Sequence, residues 1–313
     1  MRIVVLDDYQ NVASDYANWE ELDAEVEFVD RPITDTHDLV RVLAGAEVVV
    51  AMRERTVFCA ERLSQLSDLR LLVTTGRVNA SIDLDAARGH GITVCGTEST
   101  TSATPELTWG LILSVLRSIP SEDAELRSGG WQTTVGGDLC GRRLGVIGLG
   151  RLGTQVARVG AAFGMEVVAW SQNLDEAKAS EVGVRAVTKS ELFATSDVLT
   201  VHYQLSDRSR GLVSAEDLAR MKPSSILVNT SRAGLLDTDA LLLALREGRI
   251  RGAGIDVYDS EPLPVDHPLR SAPRTVLTPH LGYVTENTYR IFFTQAVEDI
   301  AAWRAGETIR RLT

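Results

Sequence analysis

Short apolar runs recur along the chain, each ending in a polar or glycine-marked turn. In the first hundred residues the runs 2–6, 25–29, 46–52, 69–75 and 91–95 read as strands, and 39–43 and 61–66 have helical spacing. Strands alternating with helices imply a parallel sheet covered on both faces, so the N-terminal third predicts a small α/β domain without a phosphate loop. Residues 96–102 are small and polar and read as the crossing into a second domain. Thr104-Pro105-Glu106 then opens a long helix bearing Leu107, Leu111, Ile112, Val115 and Leu116, predicted to end near Ile119-Pro120.

The same alternation resumes after a polar segment. Residues 144–147 form an apolar run, followed by a glycine turn, a helical stretch over 154–163 and a β-branched run over 165–170. Further strands are predicted at 197–202, 225–230, 252–257 and 275–280, with helices at 175–182, 190–194, 214–221 and 238–246. An apolar stripe of Tyr289, Phe292, Phe293, Val297 and Ile300 marks a closing helix over 286–305.

Charge and composition remove several function classes. The 313 residues carry a formal net charge of −11 and no long run of Lys or Arg, which argues against nucleic acid as a partner. No apolar run reaches the length of a membrane span, and the start lacks the pattern of a secretory leader. Three widely separated cysteines, Cys59, Cys95 and Cys140, suggest a reducing cytoplasm and neither a disulfide framework nor a metal site.

Two sets of residues promise chemistry. Gly148-x-Gly150-x-x-Gly153 lies between a strand and a helix, with a second strand following, which is the setting of a dinucleotide-binding turn. The first glycine permits the turn, the second lets backbone approach a pyrophosphate, and the third lets helix and strand pack closely. Arg232, Glu261 and His280 each stand just past a predicted strand end, where ligands of open parallel sheets bind. Arg232 can fork two N–H bonds to a carboxylate, His280 can move a proton, and Glu261 can orient the imidazole. His37, His90 and His267 sit in polar or turn contexts. His202 ends a strand beside the cofactor crevice and is expected to line it without reacting.

Gly148–Gly153, Asn229-Thr230-Ser231-Arg232, Asp256-Val-Tyr-Asp-Ser-Glu261-Pro262 and Pro279-His280-Leu281-Gly282, in that order, resemble the signatures of the D-isomer-specific 2-hydroxyacid dehydrogenases. The segment Thr74–Asp83 resembles that family's substrate-domain loop. The resemblance implies an α/β protein of two Rossmann-like doubly wound parallel-sheet domains. The substrate domain (1–98 plus 285–313, flavodoxin-like) would hold the inserted cofactor domain (99–284). It also implies a homodimer gripped through the helix after Pro105 and the Trp131 segment. Arg232, Glu261 and His280 would be the catalytic trio. Gly148, Gly150, Arg151, Leu152, Gly153, Ser171, His202, Thr230, Ser231, Asp256, His280 and Gly282 would contact the cofactor, with Asp256 meeting the nicotinamide carboxamide. Amides around Gly76, Arg77 and Val78 would hold the substrate carboxylate.

Ser171 occupies the place where NAD-preferring relatives carry an acid, and Gln172 and Asn173 are neutral. NAD is the expected cofactor, with NADP permitted, since no acid would repel a 2′-phosphate and no Arg at 171–174 would attract it. Arg53, Arg55 and Arg77, near the first domain's strand ends, suggest a substrate with an extra anionic group; solvated loop cations are the other reading. The expected function is hydride transfer between a nicotinamide cofactor and a small D-2-hydroxy or 2-oxo acid, of glyoxylate/hydroxypyruvate or phosphoglycerate type. A non-enzymatic dinucleotide sensor or corepressor on the same fold is the alternative, for which the full trio would be unnecessary.

Overall fold

The computed structural model describes residues 1–313, which divide into two units: Met1–Thr100 with Val284–Thr313, and Thr101–Tyr283. In the smaller unit β1 (Arg2–Val5), β2 (Glu25–Phe28), β3 (Val48–Ala51), β4 (Leu71–Thr74) and β5 (Thr93–Gly96) form one parallel sheet in the order β2-β1-β3-β4-β5. The three central strands are apolar and buried because helices cover both faces. β2 lies at an edge, and its exposed Glu25 and Glu27 keep that edge from pairing further. At the other edge the chain returns, with an antiparallel bridge between Cys95 and Arg311.

The helix Glu286–Arg304 packs in this unit. Its Tyr289 and Phe293 rings meet edge to face, with centroids 5.6 Å apart, and both also contact Tyr16. The predicted apolar stripe is therefore the face that this helix buries.

The larger unit holds β6 (Arg143–Ile147), β7 (Glu166–Trp170), β8 (Arg185–Ala186), β9 (Val198–Val201), β10 (Ile226–Asn229), β11 (Gly252–Ile255) and β12 (Thr275–Leu277). All pair in parallel, in the order β12-β11-β10-β9-β6-β7-β8. Strand order reverses at β6, so β6 and β9 flank the switch point where doubly wound sheets take their ligands. Both sheets have the α/β organisation expected from the alternating pattern.

Local differences have local causes. The long helix is Ala103–Arg117; Ser118 turns left-handed at φ 51°, and a second helix, Ile119–Arg127, starts there with Pro120 in its first turn. The sequence predicts one helix ending near Ile119-Pro120; because proline is tolerated in a first turn, a second helix begins there. Two-residue β8 and the short helices Ala13–Tyr16 and Leu84–Gly89 were not anticipated, being too short to show a period. No helix is long and apolar enough to cross a membrane.

Candidate active site

The glycine turn joins β6 to the helix Arg151–Ala162. Gly148 is left-handed at φ 92°, and a Cβ there would collide with the carbonyl of His202. A Cβ on Gly153 would collide with the carbonyl of Gly148, so helix and strand can approach only with glycine at 153. At Gly150 a Cβ would meet nothing within 4 Å. This helix has no side-chain cap and no acid in its first turn. The amides of Arg151, Leu152 and Gly153 therefore begin a helix with nothing from the chain to neutralise its partial positive charge, and this cradle fits a pyrophosphate.

His202 ends β9 beside the turn, with its N–H donating to Ile147 O at 2.7 Å. Its Nε2 lies 2.9 Å from Thr200 Oγ1. Burial of the ring pushes its pKa down to about 4, so it is neutral at ordinary pH. Ser171 follows β7, half-buried, and the rings of Trp170 and Tyr203 stack at 6.3 Å. Tyr203 O accepts from Ser231 Oγ at 2.7 Å. Thr230 is buried against Thr108, with 2.8 Å between the hydroxyls.

Arg232 stands past β10 in a turn closed by Asn229. Asn229 Nδ2 donates to the carbonyl of Arg232 at 3.0 Å, and its Oδ1 accepts from the N–H of Ser231 at 3.0 Å. Past β11, Glu261 accepts the N–H of Tyr258 on one carboxylate oxygen at 2.9 Å. Its other oxygen, Oε2, lies 2.6 Å from Nδ1 of His280. A carboxylate can only accept, so Nδ1 carries the proton and Nε2 is left as the working nitrogen.

His280 itself is left-handed, φ 55°, on the turn after β12. Asp256 holds that turn. Its Oδ1 accepts from Thr278 Oγ1 at 2.6 Å and from Leu281 N–H at 2.7 Å, while Oδ2 accepts from Gly282 N–H at 2.9 Å. Asp256 is fully buried, and desolvation raises its pKa against these donors. The ring of Tyr283 meets that of His280 edge-on at 5.3 Å.

Thus the fold brings Glu261 to His280, Asp256 to Leu281 and Gly282, and His202 to the glycine turn. Arg53, Arg55 and Arg77 each take different partners. Arg55 donates to Asp7 O at 2.7 Å and lies 4.3 Å over the Tyr9 ring. Arg77 is exposed and pairs with Glu98, and Val78 is exposed beside it. Arg53 lies over Gly76. Three strand-end positions look alike in sequence, but each side chain follows its own nearest acceptor. Sequence reading passed over the turn-forming role of Asn229, and over Thr278 and Tyr258. An Asn-x-Ser directly after a strand was the available signal for the first.

Residues 109–282 match the family model described as D-isomer specific 2-hydroxyacid dehydrogenase, NAD binding domain. The chain is 36% identical over 255 residues to a glyoxylate reductase of Aeropyrum pernix, covering 78% of this chain and 76% of that protein. It is 32% identical over 284 residues to a D-3-phosphoglycerate dehydrogenase of Bacillus subtilis, covering 90% of this chain and 53% of that one. The chain thus spans about half the length of the D-3-phosphoglycerate dehydrogenases it matches. A crystal structure of a phosphoglycerate oxidoreductase from Vibrio cholerae O395 superposes with a TM-score of 0.94 at 38% identity, covering 98% of this chain and 99% of that one. The chain belongs to the D-isomer-specific 2-hydroxyacid dehydrogenase family.

Proposed function

We propose that this protein moves a hydride between a nicotinamide cofactor and a small D-2-hydroxy acid or the matching 2-oxo acid. The observation that carries the reading is the 2.6 Å contact of His280 Nδ1 with Glu261 Oε2, on a turn held by Asp256. A nicotinamide bound by the glycine turn would supply the hydride for reduction and take it up in oxidation. His280 gives a proton to the substrate oxygen in reduction and takes it back in oxidation. Glu261 keeps the ring oriented and stabilises its charged form. Arg232 binds the carboxylate and polarises the carbonyl.

The amides after Gly150 would hold the pyrophosphate, and Ser171 would meet the ribose. NAD is the favoured cofactor and NADP is tolerated, because position 171 neither repels nor attracts a 2′-phosphate. In the smaller unit, Arg53 and the 76–78 loop supply substrate contacts. Exposed Ile119, Leu126, Trp131 and Val135 support a second copy of the chain as partner. The three cysteines are free, which fits a reducing cytoplasm.

The test is steady-state turnover of glyoxylate, hydroxypyruvate and 3-phosphohydroxypyruvate with NADH and with NADPH. The reading expects turnover of at least one acid and loss of it in His280→Ala. A hundredfold or greater preference for NADPH would overturn the cofactor choice, and full activity of His280→Ala would overturn the mechanism.

A further inference from the structure

The smaller sheet has its own switch point, because β1 pairs with β2 on one side and β3 on the other. Arg53 stands there, just past β3, in a left-handed conformation (φ 50°) that non-glycine residues adopt only when held. Three bonds to the turn after β4 hold it. The N–H of Arg53 donates to Thr75 Oγ1 at 2.9 Å, and its Nη1 donates to Thr75 O at 2.9 Å. Its carbonyl accepts from Asn79 Nδ2 at 2.6 Å. The guanidinium lies over Gly76, which is left-handed at φ 91° and where any Cβ would collide with Nη1.

Asn79 is 6% exposed, and its amide is otherwise occupied. Nδ2 also donates to Thr74 Oγ1 at 2.8 Å, and Oδ1 accepts from Ser81 N–H at 2.9 Å. One buried amide therefore ties the strand end that carries Arg53 to the loop that carries Gly76. Arg55 is held by Asp7 and Tyr9 and Arg77 by Glu98, whereas Arg53 combines the Asn79 tie with a 3.7 Å ion pair from its Nε to Glu54 Oε2.

We propose that Asn79 is a positioning residue that holds Arg53 over Gly76 to receive the anionic group of the 2-oxo acid. This inference rests on the reading of Arg53 as a substrate contact. Without Asn79 the backbone at Arg53 relaxes out of its left-handed state and the guanidinium leaves Gly76. Substrate affinity falls, while proton and hydride transfer, supported by His280 and Glu261, do not.

The experiment is steady-state kinetics of the full chain on its best 2-oxo acid, comparing Asn79→Ala, Thr75→Val, Arg53→Ala and the Arg53→Ala/Asn79→Ala double variant. Asn79→Ala is expected to raise KM for the acid about tenfold, the scale of one lost buried hydrogen bond to a charged group's frame, with kcat and the KM for NADH within about twofold. The double variant is expected to match Arg53→Ala alone. Thr75→Val removes the Oγ1 acceptor isosterically and raises the same KM, so it decides the matter if Asn79→Ala does not fold. An unchanged KM in Arg53→Ala overturns the underlying reading of Arg53. A raised KM in Arg53→Ala with an unchanged KM in both single loop variants overturns the positioning role alone. Multiplying effects in the double variant also overturn it.

Discussion

Two buried asparagines do the same work in the two units, over different spans of chain. Asn229 donates to the carbonyl of Arg232, three residues on, and accepts from Ser231 N–H. Asn79 donates to the carbonyl of Arg53 and accepts from Ser81 N–H. In the larger unit the clamp is a single turn, written in one tetrapeptide. In the smaller unit it joins the ends of neighbouring strands β3 and β4. A local turn forms as soon as its strand ends, whereas a clamp between strands exists only after the sheet has paired. The first needs only its own tetrapeptide; the second depends on the register of Val48–Ala51 against Leu71–Thr74.

The comparison can be broken most severely in the larger unit. His280→Ala is expected to lower kcat about 10³-fold while leaving the KM for the acid nearly unchanged, measured by steady-state turnover. A change confined to KM would place His280 on the binding side of the comparison. Asn229→Ala comes next. It frees the turn carrying a residue argued to act in the transition state, so kcat and kcat/KM should both fall about tenfold to a hundredfold. If Asn229→Ala raised only KM, as Asn79→Ala is expected to, the two clamps would be equivalent and the division of labour between the units would fail.

The smallest effect concerns stability. Asp299 is buried on the helix Glu286–Arg304, facing Arg310, Glu298 and Cys95, and burial pushes its pKa up to about 7. A carboxyl whose pKa is raised in the folded state binds its proton more tightly folded than unfolded. Its contribution is complete below the unfolded value, 3.8, and is lost as pH rises through about 7. Asp299→Asn should therefore flatten the fall in Tm between pH 5 and pH 8, by a few degrees in a differential scan. The same fall in both proteins would show that Asp299 does not set it.

Much of the fold was legible because burial writes itself into the strands. Val48-Val49-Val50 and Ile226-Leu227-Val228 are apolar on both faces, and the sheets put them at the centre. The glycine turn was legible for a similar local reason, since Gly153 is required by a contact within one strand–turn–helix unit, whereas the close approach at Gly148 is to His202 past β9. Glu261 and His280 were legible as strand-end residues, but their 2.6 Å pairing depends on β11 lying beside β12. The partners of the three arginines were not legible, because sequence shows charge near a strand end and not which acceptor lies nearest. Arg55 found a carbonyl and a ring, and Arg77 found a carboxylate.

What the sequence by itself determined, then, is what neighbouring residues can specify: two parallel sheets, a dinucleotide turn, and a histidine, a glutamate and an arginine each just past a strand. Tertiary structure alone decided which of these groups touch. It placed Glu261 on the ring of His280, Asp256 under the turn that carries it, and Asn79 on the backbone of Arg53. Contacts between strands are set by sheet order and register, and these are properties of the whole paired sheet, carried by no single stretch of chain.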